Sequence, residues 1–278
     1  MKKLSILMMA CIMAAIMMMT VGCQKKDIAP IIPDSPILPD GALPGLFSVS
    51  ATKQVYFSQG NLQYQASTNT WRFAEHQYDY VGSDNRSISS TYSGWIDLFG
   101  WGTGSNPTLS SQNNEDYGPF VDWGCNRISN GANTANLWRT LTIDEWEYLL
   151  YDRTDAPSKC GTGNINGVGG LIILPDSWTL PSGCSFTSGF ATSNYNTYPD
   201  WTHNSYTLAQ WAQMEAAGAV FLPAAGNRYG SNVRNVGVSG SYWSSTPNYE
   251  MSFNSLNLDA TSNHYHYHGF SVRPVQDN

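Results

Sequence analysis

After Thr142, apolar residues recur at the three- and four-residue spacing of an α-helix. Thr142 and Glu145 have the spacing of a capping box, in which the threonine hydroxyl accepts from the third helical amide and the glutamate carboxylate accepts from the threonine amide. The residues that would share one helical face are Ile143, Trp146, Leu149 and Leu150. This pattern predicts a short amphipathic helix whose tryptophan belongs to the core.

A second helix is predicted after Thr207, where Gln210 completes the same capping spacing. Gly218 is the natural end of this helix, because glycine readily adopts the left-handed conformation that follows a helical C-terminus. The predicted apolar stripe consists of Leu208, Trp211 and Met214.

Elsewhere the apolar runs are short and are separated by glycine and asparagine, which is typical of strands joined by turns. Residues 47–64 predict two strands, of which 54–58 has the stronger pattern, and proline ends the buried strands predicted at 171–174 and 220–222. Residues 270–273 alternate between apolar and polar, which predicts a half-buried terminal strand. Two helices among short antiparallel strands and long loops predict an α+β fold.

The N-terminus has the pattern of a secretory signal peptide over residues 1–22, with Lys2 and Lys3 ahead of an almost wholly apolar run. Because that run is nearly long enough to span a bilayer, an uncleaved membrane anchor is the alternative. The ending from Thr20 to Cys23 resembles the lipobox of bacterial lipoproteins. The resemblance implies that Cys23 is acylated and that the lipid anchors the protein to the outer membrane, exposed on the cell surface.

Prolines at positions 30, 33, 36 and 39 recur every third residue, and another stands at 44. Since polyproline II has three residues per turn, these rings would line one edge of an extended segment. We therefore predict a non-globular linker over residues 23–45, either a semi-rigid spacer or a disordered tether. The rest of the chain has no clear break, which predicts a single globular domain over residues 46–278.

Composition narrows the classes of function. Charged residues make up 13% of the chain and aromatic residues another 13%, including ten Trp and sixteen Tyr. The 14 basic against 21 acidic residues exclude a protein that binds nucleic acid by neutralising phosphates. The many aromatic residues exclude a disordered acidic tail. What remains is a globular protein with a neutral, hydrogen-bonding surface.

Five stretches, in their order and spacing, resemble the FISUMP-like lipoprotein domains, which are relatives of the formylglycine-generating-enzyme type of C-type lectin fold. They are LWRTLTIDEWEYL at 137–149, GLIILPD at 170–176, AGAVFLPAAGNR at 217–228, YWSST at 242–246 and GFSVRPV at 269–275. The resemblance implies a C-type lectin-like fold with paired terminal strands, two helices and long ordered loops that present a ligand surface.

The chain departs from the chemistry of those relatives. Formylglycine-generating enzymes use a redox-active cysteine pair in the C-terminal part of the domain, and this chain has no cysteine after Cys184. The Glu-Pro-Asn or Gln-Pro-Asp loop and the Trp-Asn-Asp motif of calcium-dependent sugar lectins do not occur. We therefore expect no cofactor, although the loop carboxylates Asp79, Asp84 and Asp97 could hold a structural calcium ion.

Residues 248–268 are rich in Asn, Tyr, Ser, His, Asp and Thr, the composition of an antibody paratope, in which tyrosine supplies contact area and asparagine adaptable hydrogen bonds. The segment is similar to those that adenine-directed retroelements diversify in some lectin-fold proteins, and an ordinary polar loop is the alternative. We predict that it binds a protein or glycan on another cell, a phage or a host surface. The candidate ligand-binding residues are Asn227, Tyr229, Asn232, Arg234, Tyr242, Asn248, Tyr249, Asn254, Asn257, Asn263, His264, Tyr265, His266, Tyr267 and His268.

Three histidines alternate with tyrosine at the end of this segment. If the run is extended, His264, His266 and His268 share one face. At about 3.3 Å per residue the outer two lie about 13 Å apart, so one zinc ion could use two neighbours, with His203 or Asp259 completing its ligands. Exposed contact with the ligand is the interpretation we favour over a metal site.

Two arginines near the segment are open to two interpretations. Arg228 and Arg234 could contact acidic ligand groups bidentately, or they could pair with carboxylates at the edge of the core. Nearby, we expect Trp243 to be a core residue and Tyr242 to face outward.

Three cysteines remain beyond the signal peptide and Cys23. They allow three single pairings in an oxidising compartment, and we favour Cys160–Cys184, which would close a short glycine-rich loop, over pairings with Cys125.

Two other classes of function remain open beside a lipid-anchored binding protein. A polysaccharide-acting hydrolase would need a pair of carboxylates, for which the candidates Glu115, Asp116 and Asp122 have no recognisable spacing. A structural surface component would need a donated or exposed edge strand, and the sequence indicates none. We therefore expect a binding protein without enzymatic activity.

Overall fold

The computed structural model describes residues 38–191 and 198–278. These residues form sixteen strands in five small sheets together with two α-helices, which confirms the predicted α+β class. The paired strands run antiparallel except β6 and β8, which are parallel. Residues 1–37, which include the predicted signal peptide, Cys23 and most of the predicted linker, lie outside the described residues.

The elements are short throughout. The strands are β1 Ala42–Ser48, β2 Gln54–Ser58, β3 Leu62–Gln65, β4 Thr70–Phe73, β5 Trp95–Ile96, β6 Cys160–Ile165, β7 Val168–Ile173, β8 Ser205–Tyr206, β9 Val220–Pro223, β10 Asn227–Tyr229, β11 Asn232–Arg234, β12 Ser239–Trp243, β13 Tyr249–Asn254, β14 Leu258–Asn263, β15 His268–Gly269 and β16 Val275–Asp277. The helices are α1 Ile143–Glu147, which a π-helical turn over Tyr148–Asp152 continues, and α2 Leu208–Ala216. In the described part of the chain, no helix is long and apolar enough to cross a membrane.

Both helices begin at the predicted capping boxes. Thr142 and Thr207 each accept from the N3 amide, and the N3 side chain accepts in return from the threonine amide. Gly218 follows α2 with a φ of +96°, as a helix end requires. The one wrong position is Leu208, which is exposed because it lies in the first turn, outside the cluster that the rest of the stripe joins.

The folded unit begins before the predicted boundary at 46. β1 pairs with β2 from Ala42 onward, and Leu43 is buried in the core. Pro44 is tolerated because the pairing is irregular between Ala42 and Leu46, where a missing N–H breaks no regular ladder. The predicted linker over 23–45 is therefore wrong for its last residues, which form a strand.

The two ends of the unit share one sheet, in the order β1–β2–β16. The strand predicted at 54–58 is β2, and its neighbour on one side is the C-terminal β16. The remaining sheets are β4–β3–β5, β8–β6–β7–β9, β11–β10–β15 and β12–β13–β14. The last two of these sheets carry most of the predicted binding segment.

The prediction of a half-buried terminal strand is wrong, because residues 270–275 are buried on both sides. Ser271 is inaccessible, and the Arg273 guanidinium donates to the side-chain oxygens of Gln77 at 2.8 Å and Asn61 at 3.4 Å. Ser271 and Arg273, the polar residues of the predicted strand, therefore contact protein instead of solvent. Their hydrogen-bond partners come from distant parts of the chain, so a local pattern does not reveal them.

The predicted disulfide Cys160–Cys184 is also wrong. Cys125, Cys160 and Cys184 form no disulfide with one another or with any other of the described residues. Cys160 lies in the cluster formed with α1 and β7, whereas Cys184 packs against the separate cluster that contains Trp211. Burial raises the pKa of the Cys160 thiol to about 12, which makes it unreactive near neutral pH.

We expect the core around β3 to tolerate truncation poorly. Leu62 is 0% exposed within the cluster that includes Phe270, and Leu62→Ala should lower the free energy of unfolding by about 2–5 kcal/mol. Leu180 is 44% exposed, so the matched Leu180→Ala should cost about 0.5 kcal/mol or less. Urea denaturation of both variants checks this difference, and equal losses would contradict the burial of Leu62.

Candidate ligand-binding site

A pocket of about 360 Å³ is lined by residues of the β11–β10–β15 and β12–β13–β14 sheets. We call it the ligand pocket. It brings together seven of the predicted ligand-binding residues, which are Asn227, Tyr229, Arg234, Asn254, Asn257, His264 and His268. Amide, imidazole and guanidinium groups thus converge on one concavity, as a small number of polar groups does in many ligand sites.

Sequence reasoning missed part of the lining, which also includes Asn235, Ser239, Ser241, Ser252, Phe253 and Phe270. A signal for the serines was available. Ser239 and Ser241 lie two residues apart on β12, and Ser241 pairs across to Ser252 on β13. A period of two in residues 239–243 places these hydroxyls on one face of the sheet.

Tyr242 is the predicted ligand-binding residue that the structure contradicts most directly. Its side chain is fully buried, and its hydroxyl donates to Pro223 O at 3.0 Å and accepts from Asn61 Nδ2 at 3.1 Å. The tyrosine is therefore a satisfied core residue, as its neighbour Trp243 was predicted to be. Successive side chains of a strand point to opposite faces, so Tyr242 points into the core, away from the face that carries Ser239 and Ser241.

Besides Tyr242, seven of the predicted residues do not line the pocket. They are Asn232, Asn248, Tyr249, Asn263, Tyr265, His266 and Tyr267. Asn248 has a φ of 67°, in the left-handed region that asparagine tolerates, and its carbonyl accepts from the His264 amide at 2.9 Å. Asn248 therefore shapes the turn before β13 through its backbone.

Two tyrosines form an exposed aromatic stack next to the pocket. The rings of Tyr265 and Tyr267 are 5.2 Å apart and 20° from parallel, and Tyr265 is 59% exposed. Tyr229, which lines the pocket, meets Tyr267 edge-on at 5.1 Å. We call Tyr265 and Tyr267 the tyrosine stack. Through Tyr229, the tyrosine stack and the ligand pocket form one continuous surface.

The histidine run is not extended, so the prediction of three histidines on one face is wrong. The His268 amide donates to Tyr265 O at 3.1 Å, which closes a turn. This turn brings the His264 and His268 rings to 4.8 Å at the pocket. His266 points elsewhere and stacks on Trp101, with ring centroids 4.2 Å apart.

The His264 ring is held by a buried carboxylate. Glu250 is 0% exposed, and its Oε1 lies 2.5 Å from His264 Nδ1, while its Oε2 has no hydrogen-bond partner among the described residues. This hydrogen bond and the negative charge of Glu250 raise the pKa of His264. A protonated His264 therefore persists to a higher pH than an ordinary histidine.

The neighbouring His268 has the opposite tendency. Burial and the charge of His264 lower the pKa of His268 to about 4. One neutral and one readily protonated imidazole therefore lie side by side at the pocket, and Arg234 on β11 adds an exposed guanidinium.

Arg228 fits neither interpretation offered for it. Its guanidinium is fully buried and donates to the carbonyls of Leu98, at 3.2 Å, and Gly230, at 2.7 Å. Burial lowers its pKa to about 10, so it remains charged at neutral pH. It holds the turn between β10 and β11 instead of contacting a ligand or a carboxylate.

The carboxylates considered for calcium do not converge. Asp97 is buried and accepts from Asn85 Nδ2 and the Val81 amide, each at 2.7 Å, and burial raises its pKa to about 6. Asp79 accepts from the His76 amide, and Asp84 is exposed. Within residues 38–191 and 198–278, no three His, Cys, Asp or Glu side chains come together as a metal site, including those around His203 and Asp259.

The carboxylates considered for hydrolysis have structural roles. Asp122 caps a short helical turn and accepts from the Thr140 amide at 2.9 Å. Asp116 accepts from Ser111, and Glu115 lies in the first turn of a 3-10 helix. None of these three lines the ligand pocket.

Comparisons of the chain with protein-family models, with curated proteins and with solved structures found no match. The class of this protein is therefore described from its own fold and candidate site. The chain is an α+β protein of small antiparallel sheets in which a polar pocket adjoins an exposed tyrosine stack.

The surroundings of His264 and His268 predict how each of these histidines titrates. In a histidine NMR titration, His264 should titrate above 6.5 and His268 near 4. Glu250→Gln should lower the pKa of His264, because the amide keeps the shape but removes the charge. Asp259→Asn, which neutralises an exposed carboxylate on β14, is the matched control and should leave it nearly unchanged. A wild-type His264 that titrates below 6.5 would contradict the pairing.

The same pair predicts how stability depends on pH. Because the pKa of folded His264 lies above its unfolded value near 6.5, the folded state holds the proton more tightly. The resulting stabilisation is complete below pH 6.5 and is lost as the pH rises through the folded-state pKa. Urea denaturation from pH 6 to 9 should therefore show a loss of unfolding free energy in the wild type that is smaller in Glu250→Gln.

Proposed function

We propose that this chain is a non-catalytic binding protein that recognises a glycan through the ligand pocket and the tyrosine stack. The observation that carries the proposal is their continuity through Tyr229, which lines the pocket and contacts Tyr267. A sugar has hydroxyls around its rim and apolar C–H groups on its faces. Pocket amides and hydroxyls suit the rim, and an exposed aromatic ring suits a face.

The proposal includes a C-type lectin-like fold, as the resemblance to FISUMP-like domains implies. Support comes from the two helices, from the terminal strands in one sheet and from the long connections between short strands. In such a fold the long-loop region presents the ligand surface. The proposal is supported by the pocket lining, which comes from residues between Asn227 and Phe270, near the end of the chain.

We further propose that residues 248–268 can vary in sequence, as a retroelement-diversified segment would. On β14, Asp259, Thr261 and Asn263 are exposed and alternate with residues that are buried or half-buried. Backbone pairing between β13 and β14 does not depend on these side chains. Exposed positions could therefore change without loss of the fold, and an adenine-substituted near-repeat beside a reverse transcriptase gene would support diversification.

In the cell, we propose that acylated Cys23 anchors the protein to the outer membrane and that the proline-rich segment separates the domain from the bilayer. The ligand would then be a glycan, or a glycosylated protein, on another cell, a phage or a host surface. A passive structural component would not require a pocket lined by converging polar groups. A hydrolase would require reactive carboxylates, and the candidates Asp116 and Asp122 already serve other contacts.

Removal of the tyrosine stack should abolish ligand capture without unfolding the protein. We expect the double variant Tyr265→Ala, Tyr267→Ala to bind its target on a printed glycan array at least about tenfold more weakly, since aromatic anchors dominate such contacts. Its melting temperature should be nearly unchanged because the tyrosines lie on the surface. The matched control is Tyr151→Ala, which removes a 47%-exposed tyrosine outside the pocket and should bind normally. Undiminished capture by the double variant would overturn the proposed site.

A further inference from the structure

The ionisable side chains that line the ligand pocket are arginine, histidine and tyrosine. They are Arg234, His264, His268 and Tyr229, and no carboxylate of the described residues is among the lining. Glu250 lies behind His264 and is wholly buried. A ligand in the pocket therefore meets positive charge and neutral polar groups, but no exposed negative charge.

Arg234 carries the permanent charge of the pocket. Its side chain is exposed on β11 and forms no ion pair with any carboxylate in the part of the chain that the structure describes. A guanidinium presents a planar pair of donors that matches the two oxygens of a carboxylate. Arg234 is therefore free to bind an anionic group.

His264 supplies a second, titratable cation. Because Glu250 occupies Nδ1, the nitrogen left for a ligand is Nε2, which bonds to none of the described residues. Among the titratable and charged groups, Glu250 from β13 bonds to His264 and the ring of His268 from β15 lies 4.8 Å from the His264 ring, while Tyr229 and Arg234 from β10 and β11 line the same pocket. Of these, Glu250 alone is negative, and it favours the proton on His264.

From these contacts we infer that the pocket binds the carboxylate of an acidic sugar residue, such as a uronic acid, between Arg234 and His264, and releases it when His264 loses its proton. The inference rests on the proposed glycan-binding function and names the sugar class that this site selects. Asn227, Asn254 and Asn257 provide amides for the sugar hydroxyls.

The sign of the pH dependence follows from the charges. While His264 is protonated, it cancels Glu250, so Arg234 leaves the site positive. When the proton is lost, the charge of Glu250 is uncompensated and repels the carboxylate of the ligand. His268 stays neutral throughout this range, because its pKa is about 4. Binding therefore weakens as the pH rises through the pKa of His264.

The first experiment prints uronate-containing oligosaccharides beside the same oligosaccharides with each carboxylate methyl-esterified. The acidic member of each pair should bind the full chain at least about tenfold more tightly, as expected for a charged hydrogen bond. Equal binding of both members would overturn the inference and leave the proposed function intact. Binding of no printed glycan, acidic or neutral, would overturn the proposed function as well.

The second experiment measures affinity for the uronate oligosaccharide from pH 5.5 to 9. Affinity should fall about tenfold through a midpoint above pH 6.5, and Glu250→Gln should move that midpoint to lower pH.

The variant Arg234→Gln changes an exposed side chain and spares the core, and it should weaken binding of the uronate oligosaccharide about tenfold at pH 6. Arg127→Gln removes an exposed arginine outside the pocket and should not change binding. A flat pH profile, or equal effects of the two arginine variants, would overturn the inference.

Discussion

Residues 270–275 form a buried segment whose backbone pairs with several distant parts of the chain. Phe270 exchanges hydrogen bonds with Phe99, and Val275 does so with Arg139. Between them, Val272 O accepts from the Leu62 amide at 2.9 Å. Buried backbone groups must be paired, because an unpaired one has a free-energy cost close to that of a lost hydrogen bond. These pairings tie the segment to three distant parts of the chain, and this constraint limits how the surrounding sheets can lie.

This constraint also determines the shape of the binding surface. The histidine–tyrosine run ends at β15, where His268 pairs with Tyr229, immediately before the buried segment. It begins at β14, where Asn263 pairs with Tyr249 on β13. With both ends fixed by backbone pairing, the run must turn, so alternate histidines separate. The shape of the site thus depends on backbone contacts, whereas its chemistry depends on side chains that those contacts leave free.

Whether the role of a residue could be predicted from the sequence depended on how far along the chain its hydrogen-bond partner lies. Thr142 and Thr207 find their capping partners three residues along, so both helix starts were predictable. Tyr242 and Arg228 are satisfied by groups from distant segments, so a local pattern could not distinguish them from exposed ligand contacts. The polar segment 248–268, which composition singled out, supplies part of the pocket lining, including Asn254, Asn257 and His264. Composition missed Glu250, because an isolated acidic residue in a polar segment has no sequence signature of burial.

The position of Glu250 gives the pocket its electrostatic character. A buried carboxylate with one oxygen that bonds to none of the described residues costs free energy, which a neutral residue of the same shape would avoid. In an exposed position the same carboxylate would repel anions. Behind the imidazole of His264, it instead favours a proton that the partly exposed ring presents toward the pocket. The acidic side chain therefore favours a cation at the pocket surface while its own charge stays buried, and it does so only below the pKa of the histidine that covers it.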